Sequence, residues 1–245
     1  MAETTPHLAP IVVLAFLGAV FLVGLSILVL LYGAVRRSKR FAGIGSAGAL
    51  SIVAGYVLLL CCVSLASNEV VEPQGGWKYF CEIDCHIGYS VSGVRTAAAI
   101  GSDTQQVMAR GQFVSVRLKV WFNEHTSSLT RGDGPLTPNA RRVVLVDAGG
   151  REYAESSEGE AELACVDGGE TTLRRPLRPG QSFGMDLVFD VPKDASGIRL
   201  LITEDDPETL LIIGHENSLF HKKIYLGLDL APSITSAISP LHSNQ

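Results

Sequence analysis

Charged side chains are missing from two long stretches near the beginning of this sequence. Neither Ile11–Val35 nor Phe41–Ala66 contains an Asp, Glu, Lys or Arg. A helix needs about 20 apolar residues to cross the hydrocarbon core of a bilayer, so each stretch is long enough to span it. A secretory signal peptide would have a basic segment before a shorter apolar core. Before the first stretch the ionisable side chains are Glu3 and His7, so we predict two transmembrane helices in an anchor at 1–67.

Basic residues are scarce around these stretches and occur there only in the connecting loop 36–40. Lys and Arg accumulate on the cytoplasmic side of membrane proteins. We therefore predict an integral protein of the cytoplasmic (inner) membrane with both termini extracytoplasmic. After Ser67 the balance reverses, because 24 of the 25 acidic but 16 of the 20 basic residues lie there, a net charge near −8. This charge argues against nucleic acid or an anionic membrane surface as a partner.

Small residues recur at a spacing of four in the second apolar stretch. Gly43 is followed by Ala47, and Gly45 by Ala49. This spacing lets two helices approach closely in a membrane. It predicts packing against the first helix, or against the helix of another membrane-protein subunit.

After Asn68 the sequence lacks a long helical period, and it lacks the His-Glu-x-x-His and P-loop signatures of common enzyme classes. It has instead short alternating or apolar runs separated by Gly and Pro turns, such as QFVSVRLKVWF at 112–122 and TLLIIG at 209–214. Such runs predict strands of an antiparallel sandwich or barrel. The acidic stretch 147–172 is interpreted as a solvated loop or hairpin excursion.

Three segments of this part share a pattern of residues with a known family: GQFVSVRLKVWFNE, LTPNARRVVLVDAGGREY and LRPGQSFGMDLVFDVPKDASGIRLLI. They resemble a family of bacterial extracytoplasmic immunoglobulin-like domains of unknown function, which has a lvD..G..y hairpin followed by a l.pG......lvFdvP strand. The resemblance implies two transmembrane α-helices followed by an all-β immunoglobulin-like antiparallel sandwich at 78–230. A linker is then expected at 68–77 and a flexible tail at 231–245.

Cysteine is scarce, and three of the five cysteines lie outside the apolar stretches, at Cys81, Cys85 and Cys165. The alternation of CEIDCHIGYSV predicts one straight strand 81–91, with Cys81 and Cys85 on one face about 13 Å apart. A disulfide needs Cα atoms within about 7 Å, so these two are not expected to bridge each other. Either both are core residues, or one of them forms a disulfide with Cys165 in the oxidising extracytoplasmic compartment.

The opposite face of the predicted strand presents Asp84 and His86. Their Cα atoms would lie roughly 7 Å apart, close enough to supply two ligands to copper or zinc. A third ligand would have to come from another strand, and His125, His215 and His221 are the candidates.

A helical segment would instead place Cys81 and Cys85 on one face about 6 Å apart, where metal binding or thiol redox chemistry is plausible. Two spans followed by a β-rich domain also resemble subunit II of the haem-copper oxidases, whose copper motif is Cys-x3-Cys-x3-His-x2-Met. In this sequence Tyr89 and Ser92 replace the His and the Met. That copper site is therefore not inferred for this protein.

Together these observations favour a membrane-anchored extracytoplasmic binding or structural module over an enzyme. The predicted role is that of an accessory subunit or scaffold of a membrane complex, without a resident cofactor. The alternative is copper or zinc handling, or thiol redox chemistry, at the segment Cys81-Cys85-His86.

Overall fold

The computed structural model describes residues 9–82, 85–102, 105–127, 131–167, 172–204 and 206–230. They fold as two compact units. The helical unit consists of the two apolar helices and residues 206–223, and the sandwich unit contains the strands. The tail predicted at 231–245 lies outside the described residues.

The helical unit is built around α1, Ala9–Val35, and α2, Lys39–Leu65. Both helices are long and apolar enough to cross a membrane. The two helices pack against each other at Gly45, where a Cβ atom would lie 2.5 Å from the Leu30 backbone nitrogen on α1. Gly45 is therefore buried in this contact, whereas Gly43 and Ala47 are exposed.

Two sheets form the sandwich unit. Its strands, in chain order, are β1 Val70–Glu72, β2 Lys78–Glu82, β3 Cys85–Ser102, β4 Gln105–Asn123, β5 Arg141–Val146, β6 Glu152–Tyr153, β7 Ser182–Val191, β8 Arg199–Glu204 and β9 Ile224–Gly227. One sheet has the order β1-β9-β8-β5-β6 and the other the order β2-β3-β4-β7. Neighbouring strands are antiparallel except for the parallel pair β1 and β9. The predicted antiparallel sandwich is confirmed, and its immunoglobulin-like classification stays a prediction.

The core lies between the two sheets and follows the predicted alternation of β4. Even-numbered residues from Val114 to Phe122 are fully buried, while Arg117 and Lys119 are exposed on the outer face. Removing each such apolar side chain from water contributes about 1.5–3 kcal/mol. These inward side chains therefore fix which face of β4 meets the opposite sheet.

The acidic stretch contains a helix, α3, at Ser157–Asp167, so its interpretation as a solvated loop is wrong. On the outer face of the four-stranded sheet, Leu163 packs with Phe113 and Val188. Gly159 permits this contact, because a Cβ atom there would lie 2.6 Å from Val188 Cγ1. Gly159 and Leu163 are four residues apart and lie on the face of the helix that contacts the sheet. The glutamates around them make the segment read as polar, so this face was not recognised in the sequence.

Two further segments differ from their predictions. The expected linker 68–77 contains β1, which pairs with β9. The run TLLIIG, predicted as a strand, begins inside the 3-10 helix Pro207–Leu211 and belongs to the helical unit. A short apolar run has no periodicity that distinguishes a strand from other structure, and for this reason the strand assignment of TLLIIG was wrong.

Candidate functional site around the β2–β3 hairpin

A tight hairpin contains the Cys-x3-Cys segment. Strand β2 ends at Glu82 and β3 begins at Cys85, and the antiparallel register pairs Cys81 with His86 and Glu82 with Cys85. The predicted straight strand 81–91 is therefore wrong. Because cross-strand partners face the same side of a sheet, the side that even-numbered residues face changes at the turn.

The two cysteines consequently lie on opposite faces of the sheet. Cys81 is exposed on the outer face, whereas Cys85 is buried in the core. The Cys85 thiol donates a hydrogen bond to the Glu82 carbonyl oxygen at 3.7 Å. The side chain of Cys165, in α3, lies outside the described part of the chain, so its disulfide stays a prediction.

His86 is the cross-strand neighbour of Cys81 on the outer face. Its imidazole is half-buried, and this burial lowers the pKa of His86. Its backbone N–H donates a hydrogen bond to Thr126 Oγ1 at 2.9 Å, which ties the start of β3 to the residues after β4. The hairpin therefore brings together a thiol and an imidazole that the sequence pattern had placed on opposite faces.

The other predicted metal ligands do not join this pair in the described chain. Asp84 lies outside the described residues. His125 is exposed beyond the end of β4, and His215 and His221 belong to the helical unit. Among the residues that the structure describes, no group of three or more His, Cys, Asp or Glu side chains is arranged to hold a metal ion.

The inner face of β2 holds charged side chains that sequence reasoning missed. Glu82 Oε1 accepts hydrogen bonds from Arg141 Nη2 and, at 3.2 Å, from the Asn139 N–H. Arg141 belongs to β5 in the opposite sheet, and its Nη1 lies 3.5 Å from Glu204 Oε1 on β8. The guanidinium also lies over the Phe80 ring, with Cζ 4.4 Å from the centroid. This buried ion pair joins the two sheets.

Lys78, at the other end of β2, joins the sheets by a second route. Its Nζ donates hydrogen bonds to the carbonyl oxygens of Ile202 at 2.6 Å and Ile224 at 2.8 Å. Burial raises the pKa of Tyr89, which packs edge-on against Phe80, to about 12. Strand β2 is an edge strand, and charges that point inward from an edge hinder pairing with another chain.

An aromatic cluster lies on the outer face of this hairpin; we call it the aromatic patch and define it as Trp77, Tyr79 and Trp121. The rings of Trp77 and Tyr79 are stacked, with centroids 6.3 Å apart and 22° between their planes. Trp121 lies 5.4 Å from Trp77 at an angle of 58°. Lys119 Nζ lies 5.8 Å from the centroid of Trp77, within cation–π distance. Tyr79 is 44% exposed, so the patch is open to solvent.

Gly88 lies beneath the rings of the patch. The register aligns it with Tyr79 on β2 and Trp121 on β4. A Cβ atom at Gly88 would lie 2.9 Å from both Trp77 Cε3 and Tyr79 Cε1. Glycine at this position therefore lets the rings lie flat against the sheet. The sequence pattern placed Gly88 on the outer face, but only the strand register shows which rings cover it.

Other groups occupy the rest of the outer face. In its middle, Arg117 Nη1 lies 2.6 Å from Asp186 Oδ2, and α3 packs on the end away from the patch. At the start of α3, the Glu155 and Glu160 carboxyl groups are hydrogen-bonded to each other. Burial of its carboxyl and the charge of Glu160 raise the pKa of Glu155 to about 7. The Arg117–Asp186 ion pair thus lies between the aromatic patch and α3.

The lvD..G..y pattern corresponds to the hairpin between β5 and β6, whose turn is held by hydrogen bonds among its own residues. Asp147 Oδ1 accepts hydrogen bonds from the N–H groups of Gly149 at 2.8 Å and Arg151 at 2.9 Å. Its Oδ2 accepts from Arg151 Nε at 2.7 Å and from the Tyr153 hydroxyl at 2.9 Å. These bonds, led by the Arg151 N–H, lower the pKa of Asp147 to about 2. Asp147 thus has a structural role in the turn, where Gly150 adopts a φ of 79°.

Comparison with known proteins finds distant similarity to solved structures. The chain is similar to the secreted protein MPT63 from Mycobacterium tuberculosis, with 12% identity, a TM-score of 0.41, and coverage of 66% of this chain and 99% of that one. It is also similar to a conserved hypothetical protein from Bacillus anthracis, with 14% identity, a TM-score of 0.38, and coverage of 51% of this chain and 85% of that one. An uncharacterized β-sandwich protein from Clostridium difficile 630 is similar with 10% identity, a TM-score of 0.34, and coverage of 66% of this chain and 93% of that one. No protein-family model and no curated protein matches the chain.

Proposed function

We propose that this protein is an accessory or scaffold subunit of a membrane complex, in which a two-span anchor displays the sandwich and the aromatic patch binds a partner protein. The exposure of α1 and α2 supports the anchor, since 0% of the residues in the most apolar segment of α1 and 11% of those in α2 are buried. A core helix of a soluble protein would bury such a surface. The basic loop 36–40 supports a cytoplasmic connection with both termini on the extracytoplasmic side.

The aromatic patch is the observation on which the binding role rests. Trp and Tyr are enriched at the centres of protein interfaces and contribute much of the binding energy there. The patch presents three such rings close together on the outer face of one sheet, above Gly88. Lys119 adds a positive charge beside them, so the proposed partner offers an apolar pocket flanked by an acidic group.

Site-specific photocrosslinking in native membranes tests this role. A photoreactive phenylalanine derivative at Tyr79 is expected to give one defined protein adduct, and the same probe at Met108, which is 66% exposed on β4, is the control. Trp121→Ala should remove the adduct at position 79, because it deletes a contacting ring from the outer face. Identical adducts at both positions, or an adduct that survives Trp121→Ala, would contradict the proposal.

The exposed pair Gly43 and Ala47 on α2 is the proposed contact for a helix of a neighbouring subunit. A Cβ atom at Gly43 meets nothing within 4 Å, whereas one at Gly45 would clash with α1. Gly43→Leu is therefore expected to reduce co-purification of a membrane partner in mild detergent while the α1–α2 contact stays intact. Unchanged co-purification would exclude this face.

The hairpin register favours one second candidate, copper or zinc handling. It places Cys81 opposite His86, with Cα atoms roughly 5 Å apart, and thiolate and imidazole suit both metals. Burial lowers the pKa of His86 and so favours the neutral imidazole, which is its metal-binding form. Metal analysis of the full chain should show metal that Cys81→Ser and His86→Ala remove and His125→Ala retains. No metal above the protein-free control would sink this candidate.

A further inference from the structure

The residues between β8 and β9 include a small lobe, 206–223, with the sequence DPETLLIIGHENSLFHKK. It belongs to the helical unit. Four of its large apolar side chains are on the outside, since Leu210, Leu211, Leu219 and Phe220 are 43%, 46%, 46% and 67% exposed, while Ile212 and Ile213 are partly buried. A loop in water usually exposes its polar residues and buries part of its apolar ones.

Three uncharged polar side chains of the lobe are on the inside, whereas the charged Asp206, Glu208 and Lys222 near its ends are exposed. Thr209, Asn217 and Ser218 are buried. Asn217 Nδ2 donates a hydrogen bond to Thr209 Oγ1 at 3.4 Å, and Lys223 Nζ donates one to Asn217 Oδ1 at 3.0 Å. A polypeptide in contact with hydrocarbon must satisfy its polar groups internally in this way. The lobe therefore has the distribution of polarity expected next to lipid.

Phe220 is held outward by an unusual backbone. Its φ of 65° lies in the left-handed region, which is costly for a bulky residue without a special reason. The exposed ring gains little burial within the chain to offset this cost. An aromatic ring held in this way points to a contact outside the described residues.

The lobe lies along the last turns of α2 and is hydrogen-bonded to it. Three pairs join the two: Tyr56 with Leu211, Ser64 with Ser218, and Ser67 with Lys222. The Tyr56 hydroxyl donates to the Leu211 carbonyl oxygen at 2.7 Å. Polar side chains on this apolar helix are thereby paired with the lobe, and the exposed apolar surface of α2 continues onto the lobe.

The position of Tyr56 gives the depth of the lobe in a bilayer. A hydrocarbon core of about 20 helical residues that begins at Phe41 ends near Leu60. Tyr56 lies four residues earlier, about 6 Å below that boundary at 1.5 Å per residue. Ser67 and Lys222 then lie at the level of the headgroups. A depth of this size is typical of segments that lie in the membrane interface.

We infer that the lobe inserts Leu210, Leu211, Leu219 and Phe220 into the extracytoplasmic leaflet beside α2, and that its ligand is the lipid bilayer. The inference rests on the proposed membrane anchor. Lipid is the partner because the apolar side chains continue the surface of α2, while the charged residues Asp206, Glu208 and the Lys222–Lys223 pair lie at the two ends of the lobe. The lobe would thus fix the residues entering β9 at the membrane surface.

Photolabelling from the lipid tests this insertion. The full chain is reconstituted in vesicles of phosphatidylcholine and phosphatidylglycerol that contain a phosphatidylcholine with a diazirine in its acyl chain, and adducts are mapped by mass spectrometry. Lobe peptides should be labelled on the order of tenfold more than the peptide with Met108, an equally exposed apolar residue on β4. Leu219→Ser with Phe220→Ser should lower labelling of the lobe and leave labelling of α2 unchanged.

Two failures can be told apart. Labelled α2 with a lobe labelled no more than the Met108 peptide overturns the insertion and leaves the anchor standing. Absence of label from α1 and α2 overturns the anchor itself, and the insertion with it. The insertion is also overturned if the variant Leu219→Ser with Phe220→Ser leaves labelling of the lobe as unchanged as the control variant Met108→Ser does.

Discussion

Replacing Arg141 by methionine removes the positive partner of a buried carboxylate and is expected to destabilise the sandwich unit. The Arg141 and Glu82 side chains are 0% and 3% exposed, so water cannot take the place of the lost guanidinium. Removing one partner of such a pair costs about 3–5 kcal/mol. With about 2–4 °C per kcal/mol for a unit of this size, the melting temperature should fall by roughly 6–20 °C.

The size of this loss should depend on pH and on the second partner. In Arg141→Met, Glu82 loses its guanidinium partner while it stays buried and bonded to the Asn139 N–H, so burial should raise its folded-state pKa above the unfolded value of about 4.3. The deficit is therefore small below that value and grows as the pH rises through the folded-state pKa. Adding Glu82→Gln removes the buried charge and should recover most of the lost stability, since neutral replacements of buried pairs often cost little.

Tryptophan fluorescence of the full chain in mild detergent measures these effects. Both tryptophans, Trp77 and Trp121, belong to the sandwich unit, so the signal reports its unfolding. Melting curves of the wild type, Arg141→Met and the double variant are compared at acid and neutral pH. A melting temperature of Arg141→Met within about 2 °C of the wild type at neutral pH would refute the reasoning, and so would an equal deficit in the double variant.

Three further predictions concern single side chains and use the same fluorescence measurement. The pKa of Asp147 is lowered to about 2, so its stabilisation is present above the unfolded value of about 3.9 and is lost as the pH falls through 2; Asp147→Asn should lack that loss. The pKa of Glu155 is raised to about 7, so its stabilisation is complete below about 4.3 and lost as the pH rises through 7; Glu155→Gln should flatten that decline. Gly88→Ala should displace the rings of Trp77 and Tyr79, shift the emission maximum and reduce crosslinking from position 79, because its Cβ would lie 2.9 Å from both rings.

Matched variants give the results that count against these predictions. If the melting temperature of Asp147→Asn falls at low pH as steeply as that of the wild type, the Asp147 carboxylate does not stabilise the hairpin. Glu158→Gln, a neighbouring glutamate in α3, is the control for Glu155→Gln, and equal curves for the two would reject the carboxyl pair. Gly134→Ala, where a Cβ meets nothing within 4 Å, is the control for Gly88→Ala, and equal emission spectra for both would mean that Gly88 does not support the patch.

Local alternation predicts the buried face of a strand only as far as the strand continues. It was correct along β4, where Val114 to Phe122 alternate into the core. It failed at β2, because the two-residue step between Glu82 and Cys85 exchanges the faces of odd and even positions. The letters on both sides of that turn keep a period of two, so the turn leaves no mark in the pattern.

The candidate site depends on partners that are distant in the sequence. Arg141 lies 59 residues after Glu82, and its side chain reaches β2 only because the two sheets face each other. Trp121 joins Trp77 only through the register of β2, β3 and β4. Neither relation is contained in local spacing, which is why the cysteines drew attention to the segment 81–91 while its hairpin, its buried charges and its rings were not predicted.

The parallel pairing of β1 with β9 has a consequence for the order of folding. Val70 pairs with Ile224, so the five-stranded sheet cannot close until nearly the whole sandwich unit has been synthesised. Contacts between residues so far apart in sequence form slowly, because a long loop must close before they stabilise the fold. In the membrane anchor proposed above, α1 and α2 would already be inserted while the strands between them and β9 await the last one. A chain that stalls before β9 leaves β8 with an unpaired edge, which favours aggregation.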